Sequence, residues 1–124
     1  MSAQAPPPNL DFSGTWKSAR GSVMTIEISG NEVTGFYSSA IGEAEGEGKF
    51  PLRGFVSGDL VSYTVNFGRF ATLVSWVGQF APDDHLAPAL RTVFVAAVNV
   101  EEQNEADHAW GSVRTGSDTY TKIT

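Results

Sequence analysis

From Ser13 onward the chain breaks into eight short strand-like runs at even spacing, near residues 13–18, 22–29, 32–39, 50–57, 60–67, 72–80, 90–98 and 116–123. Turn residues separate them: Ala19-Arg20-Gly21, Gly30-Asn31, Ser57-Gly58-Asp59, Gly68-Arg69, Ala81-Pro82-Asp83-Asp84 and the acidic stretch Glu101–Asp107. Even spacing with tight turns predicts an all-β fold, an eight-stranded antiparallel up-and-down β-barrel. Closure removes exposed strand edges, and eight strands leave a lumen for one small ligand. The only helical expectation is a short turn within 104–111.

Alternation assigns the faces, because successive strand side chains point to opposite sides. In the fifth run Val61, Tyr63, Val65 and Phe67 oppose Ser62, Thr64 and Asn66. In the sixth, Thr72, Val74, Trp76, Gly78 and Phe80 share one side. The seventh, Thr92–Val98, is apolar on both faces, and Leu73 and Val77 of its neighbour extend the outer apolar strip. A barrel strand with two dry faces needs cover outside as well as inside. A homo-oligomer, dimer or tetramer, is expected to supply it.

The stretch Gly35–Ala44 places Tyr37, Ser39 and Ile41 on one side, a phenol, a hydroxyl and an alkyl group. Glycines recur through Gly42–Gly48, so this segment reads as a surface loop. Together they suggest either a pocket wall with a lid or a hairpin with a loose tip.

Bulk properties limit the partners. The 124 residues make one domain, read as an extended N-terminal tail over 1–12 and a barrel over 13–124. Fourteen acidic against eight basic residues give a net charge of −6, which argues against nucleic acid or an anionic membrane surface. No apolar run approaches the ~18 residues of a membrane helix. There is no cysteine to form a disulfide or act as a nucleophile. Ala3-Gln4-Ala5 has the small-x-small form of a leader cleavage site. Gly48-Lys49 fails as a phosphate-binding loop, because Glu43 stands where its first glycine must be and Phe50 follows the lysine. Asp83-Asp84-His85 and Asp107-His108 lack further ligands at metal-binding spacing. No metal, cofactor or catalytic residue is expected, and an enzyme is disfavoured.

Four motifs then carry a resemblance. Gly14-Thr15-Trp16 opens the first run as in calycin barrels. Gly35–Gly42, Trp76-Val77-Gly78-Gln79 and Trp110–Lys122 follow in order and spacing. Together they resemble the avidin and streptavidin family of biotin-binding proteins, over about Ser13 to Ile123. The resemblance implies non-catalytic, high-affinity binding and sequestration of biotin in the barrel lumen. Ser18, Ser22 and Tyr37 would face the ureido oxygen, and Ser39 and Asp118 would accept its N–H groups. Phe67, Trp76 and Phe94 would wall the rings. Ile41 and Val74 would line the pocket, and Trp110 would cap a neighbouring subunit's site. Thr72 and the Glu43 backbone N–H would hold the valerate carboxylate. A secreted or periplasmic location is also implied.

The chain departs from that pattern at several positions. Ser18 stands where the family commonly has Asn, Phe67 and Phe94 where it has Trp, and Val74 where it has Thr. Each lost polar contact costs about 0.5–1.5 kcal/mol, so binding weaker than that of the tightest relatives is expected. Arg20 and Arg114 stand where the family usually has Leu. They either border the pocket, stacking on Trp110 or pairing with Glu43, Glu45 or an acidic group of the ligand, or run out to solvent at the subunit seam. The alternatives to biotin are a lipocalin-like carrier of another small ligand and a barrel that acts through its loops.

Overall fold

A computed structural model describes residues 11–40, 48–82, 88–98 and 113–123. Eight strands follow in chain order: β1 (Gly14–Ser18), β2 (Val23–Ser29), β3 (Glu32–Ser38), β4 (Phe50–Ser57), β5 (Leu60–Asn66), β6 (Thr72–Pro82), β7 (Pro88–Val98) and β8 (Val113–Lys122). Each pairs antiparallel with the next, and β8 pairs back onto β1 to close the barrel. This is the expected eight-stranded up-and-down architecture, with the strand ends within about three residues of the runs read from sequence. The expected turn within 104–111 lies outside the described residues.

Turn chemistry fixes the register. Ser29 pairs with Glu32 across Gly30-Asn31, and Ser57 pairs with Leu60 across Gly58-Asp59. Both hairpins have a two-residue loop whose first residue is glycine at φ 61°. A primed turn requires positive φ there, and its twist matches that of the flanking strands. With the turns set, alternation decides burial: Val61, Tyr63 and Val65 are inside, while Leu60, Thr64 and Asn66 are exposed.

The core fills the barrel. At one end Phe12, Trp16 and Phe80 meet, with the Phe12 ring 6.3 Å from each of the other two. The Trp16 indole N–H donates to the Phe12 carbonyl at 2.8 Å. Phe12 is completely buried: an apolar ring four residues before Trp16 can close the barrel end. Residues 1–10 lie outside the described residues.

Up-and-down topology sends the β1–β2, β3–β4 and β5–β6 connections out at the opposite end. The β5–β6 connection contains a 3₁₀ turn, Gly68–Phe70, closed by Ala71 in the left-handed region. On the outside, Leu73, Val77, Val93, Val95 and Val113 stand exposed on β6, β7 and β8. Val77 pairs with Val93, so these side chains form one apolar strip on the face where the sequence places it.

Candidate functional site

The inward positions of β3, β5, β6, β7 and β8 bring an aromatic and polar cluster to the middle of the lumen. Trp76 is at its centre. Its ring stacks on Tyr63, with centroids 5.1 Å apart and planes at 19°, and lies 5.0 Å from Tyr37 on a tilted approach. Phe94, paired with Trp76 across β6 and β7, stands 6.2 Å away. Gly116 makes room for it, since a Cβ there would fall 2.5 Å from the Phe94 ring tip. Toward the open end, Phe67 meets Tyr37 edge-on at 6.0 Å and Phe50 at 4.9 Å.

The polar groups converge on the same place. Asp118 Oδ2 accepts the Trp76 indole N–H at 3.0 Å. The Thr92 hydroxyl donates to the Asp118 carbonyl at 2.9 Å and steadies that turn of β8. Tyr37 and Tyr120 place their hydroxyl oxygens 2.7 Å apart. Burial pushes the Tyr37 phenol above its ordinary pKa, and hydrogen bonds with Tyr120 and Ser22 and the charge of Arg20 oppose the rise. Tyr63 and Tyr120 are also raised, with burial the main cause. All three phenols therefore stay neutral donors well past neutral pH.

The β1–β2 turn supplies two buried hydroxyls. Ser18 Oγ accepts the Ser22 backbone N–H at 3.0 Å, and Ser22 Oγ accepts the Ala40 N–H at 2.9 Å. Each bond fills one oxygen lone pair, and the Ser22 hydroxyl also hydrogen-bonds with Tyr37. Next to Tyr37, this is a floor of O–H donors beside one carboxylate acceptor, under aromatic walls. It can grip a small planar ligand that carries both an acceptor oxygen and N–H groups. Among the described residues no three His, Cys, Asp or Glu side chains group to hold a metal ion. No described helix is long and apolar enough to cross a membrane, which says nothing about strands.

A family model described as the avidin family matches residues 7–123. The chain belongs to the avidin family. Its avidin-like barrel is similar to several solved structures. AVR2 superposes with a TM-score of 0.80 at 24% identity, covering 92% of this chain and 96% of that one. Xenavidin gives 0.78 at 23%, covering 94% and 100%. The biotin-binding protein from chicken gives 0.78 at 20%, covering 92% and 97%. Avidin-family proteins bind biotin as a ligand rather than a cofactor and are not enzymes, and neither is this chain.

Of the avidin-type positions named from sequence, the barrel brings together Ser18, Ser22, Tyr37, Phe67, Val74, Trp76, Phe94 and Asp118. Ser39 is half-buried just beyond β3. The Thr72 hydroxyl donates to the Phe70 carbonyl at 2.9 Å, so its hydrogen is engaged within the turn. Ile41, Glu43 and Trp110, with most of the expected lid loop, lie outside the described residues. Arg20 and Arg114 are both exposed, and the charge of Arg20 reaches Tyr37; the partners considered for a pocket role, Glu43, Glu45 and Trp110, lie outside the described residues. Sequence reasoning missed Tyr63 and Tyr120 as polar members of the floor. Tyr63 falls on the inward face by alternation, but only closure of the barrel brings it into one cluster with Tyr37 and Tyr120.

Proposed function

We propose that this barrel binds biotin, or a close relative with the same ureido ring, in its lumen and sequesters it without converting it. The observation that supports the reading is a set of buried Ser18, Ser22 and Tyr37 hydroxyls in one barrel with the Asp118 carboxylate, which the Trp76 N–H holds at 3.0 Å. Donors set on one oxygen while a carboxylate draws on an N–H polarise a urea toward an oxyanion-like form, and charge-assisted hydrogen bonds in a dry site are the strong ones. Ser39 accepts the second ureido N–H. Phe67, Val74, Trp76 and Phe94 enclose the rings. Thr72 and the Glu43 N–H take the carboxylate, the Thr72 hydroxyl leaving Phe70 to do so, and Ile41 completes the wall. Ser18 in place of a longer amide, and phenylalanines in place of indoles, weaken binding relative to the tightest relatives.

The apolar strip of Leu73, Val77, Val93, Val95 and Val113 supports a homo-oligomer that buries it, with Trp110 reaching a neighbouring site. Residues 13–124, with Phe12, act as one binding domain. Secretion or export fits the family. Calorimetric titration with biotin tests the function. Binding should be saturable at one site per chain, and Tyr37→Phe should weaken it about tenfold, the worth of one hydrogen bond. A Tyr37→Phe chain that binds biotin as the parent does would refute this placement of the ligand.

A further inference from the structure

One inward-facing row crosses the barrel wall from β4 to β8: Gly54, Tyr63, Trp76, Phe94 and Gly116, each the register partner of the next. Three aromatic rings therefore stand between two glycines. Tyr63 stacks on Trp76, and Phe94 lies 6.2 Å from Trp76 with its plane tilted by 49°. The two end glycines answer to different needs. A Cβ on Gly54 would fall 1.7 Å from the Ser62 carbonyl oxygen, and one on Gly35 or Gly78 would also strike the backbone of a neighbouring strand. Glycine stands there because strands approach closely. At Gly116 the three nearest atoms all belong to the Phe94 ring: Cζ at 2.5 Å, Cε2 at 2.7 Å and Cε1 at 3.4 Å. Gly116 is not among the glycines with positive φ, so its backbone suits alanine as well. The strand does not need a glycine at 116; the Phe94 ring does.

We propose that Gly116 is a positioning residue for the ligand: its missing side chain lets the Phe94 ring lie back against β8 and so sets the width of the lumen beside Trp76. The inference rests on the biotin reading above and deepens it, by naming the residue that decides how wide a ring system fits. On the β6 side Phe94 meets Trp76, which is itself packed on Tyr63 and Tyr37 and bonded to Asp118. A methyl group at 116 would close the β8 side as well. Phe94 is half-buried, so its ring has room to move. Displaced from β8, it swings toward the lumen axis, into the space that a bound ring system takes. The added methyl therefore costs the fold little and the ligand more, because the strain is relieved at the ligand's expense.

The test is a double-substitution cycle on the full chain, read by calorimetry with biotin. Gly116→Ala should lower biotin affinity roughly fivefold to a hundredfold, the range for overpacking by one methyl group. Phe94→Leu lacks the ring-tip atoms that the methyl meets. In that background Gly116→Ala should change affinity by less than about twofold, as independent sites do. An equal loss in both backgrounds, or no loss in the parent, overturns the proposal. So does a Gly116→Ala chain that fails to fold in either background, since the methyl would then strike the strand and not the ring. Should the parent chain bind no biotin, the proposed function fails, and the placement of Phe94 is judged without ligand by the Trp76 indole N–H resonance, which lies within reach of the Phe94 ring current. That resonance should move when Gly116→Ala is made in the parent and stay fixed when it is added to Phe94→Leu. A resonance that ignores the alanine in the parent overturns the positioning role.

Discussion

Removing the Asp118 carboxylate isolates what the site does from what the barrel needs. In the structure this half-buried group already accepts one hydrogen bond, from the Trp76 indole, at 3.0 Å. Asp118→Ala leaves that buried N–H without its acceptor, at a cost of about 1–3 kcal/mol. At roughly 4 °C per kcal/mol for a domain of this size, the melting temperature should drop by about 4–12 °C. The ligand loses a separate charge-assisted bond worth about 1.5–3 kcal/mol, equivalent to roughly tenfold to a hundredfold or more in affinity. Asp118→Asn keeps an acceptor oxygen for Trp76 and should recover most of the stability, but less of the affinity, because its acceptor is uncharged. Thermal melts without ligand and calorimetry with biotin read the two effects independently. If Asp118→Ala bound biotin like the parent while melting earlier, the carboxylate would be a support for Trp76 alone, and the assignment of a ureido N–H to it would be wrong.

Two further outcomes follow from other parts of the fold. The three tyrosines have folded pKa values raised above the unfolded value of about 10. Below pH 10 both states keep the phenolic protons and stability is unaffected. Above it the unfolded chain loses protons that the barrel retains, so stability should fall by up to about 4 kcal/mol per pH unit while all three remain protonated in the fold. Tyrosinate absorbance should appear together with the loss of β-sheet circular dichroism, and absorbance rising first in an intact barrel would contradict the buried cluster. On the outer strip, Val93→Glu, at a position 62% exposed, should leave the fold intact and lower the native mass to that of a single chain. An unchanged mass would place any oligomer contact elsewhere.

The barrel was legible because its turns announce themselves. Gly30-Asn31 and Gly58-Asp59 fix two registers outright, and alternation along β5 and β6 then assigns the faces of Tyr63, Val74 and Trp76. Phe12 was hidden by its company: it follows Asp11 and a proline-rich opening, and only the Trp16 N–H reaching its carbonyl shows that it plugs the barrel. The site was legible where motif residues sit on strands, as with Tyr37, Trp76 and Asp118. It was not legible where chemistry depends on closure. Positions 37, 63 and 120 are distant in sequence, and nothing local says that their rings share one cluster. The one available signal was that every tyrosine occupies an inward-facing position, where a phenol oxygen needs a partner.

The join between the first and last strands is the shortest in the barrel. Trp16, Lys17 and Ser18 face Lys122, Thr121 and Tyr120 there, whereas β6 and β7 run together from Thr72 to Pro82. Ser18 borders this hem from one side, and Asp118 and Tyr120 border it from the other. A guest held by both edges fastens the garment at its narrowest stitch. Tight capture and resistance to unravelling would then be one property, and amides along the hem would be the first to show it by slowing their exchange with solvent.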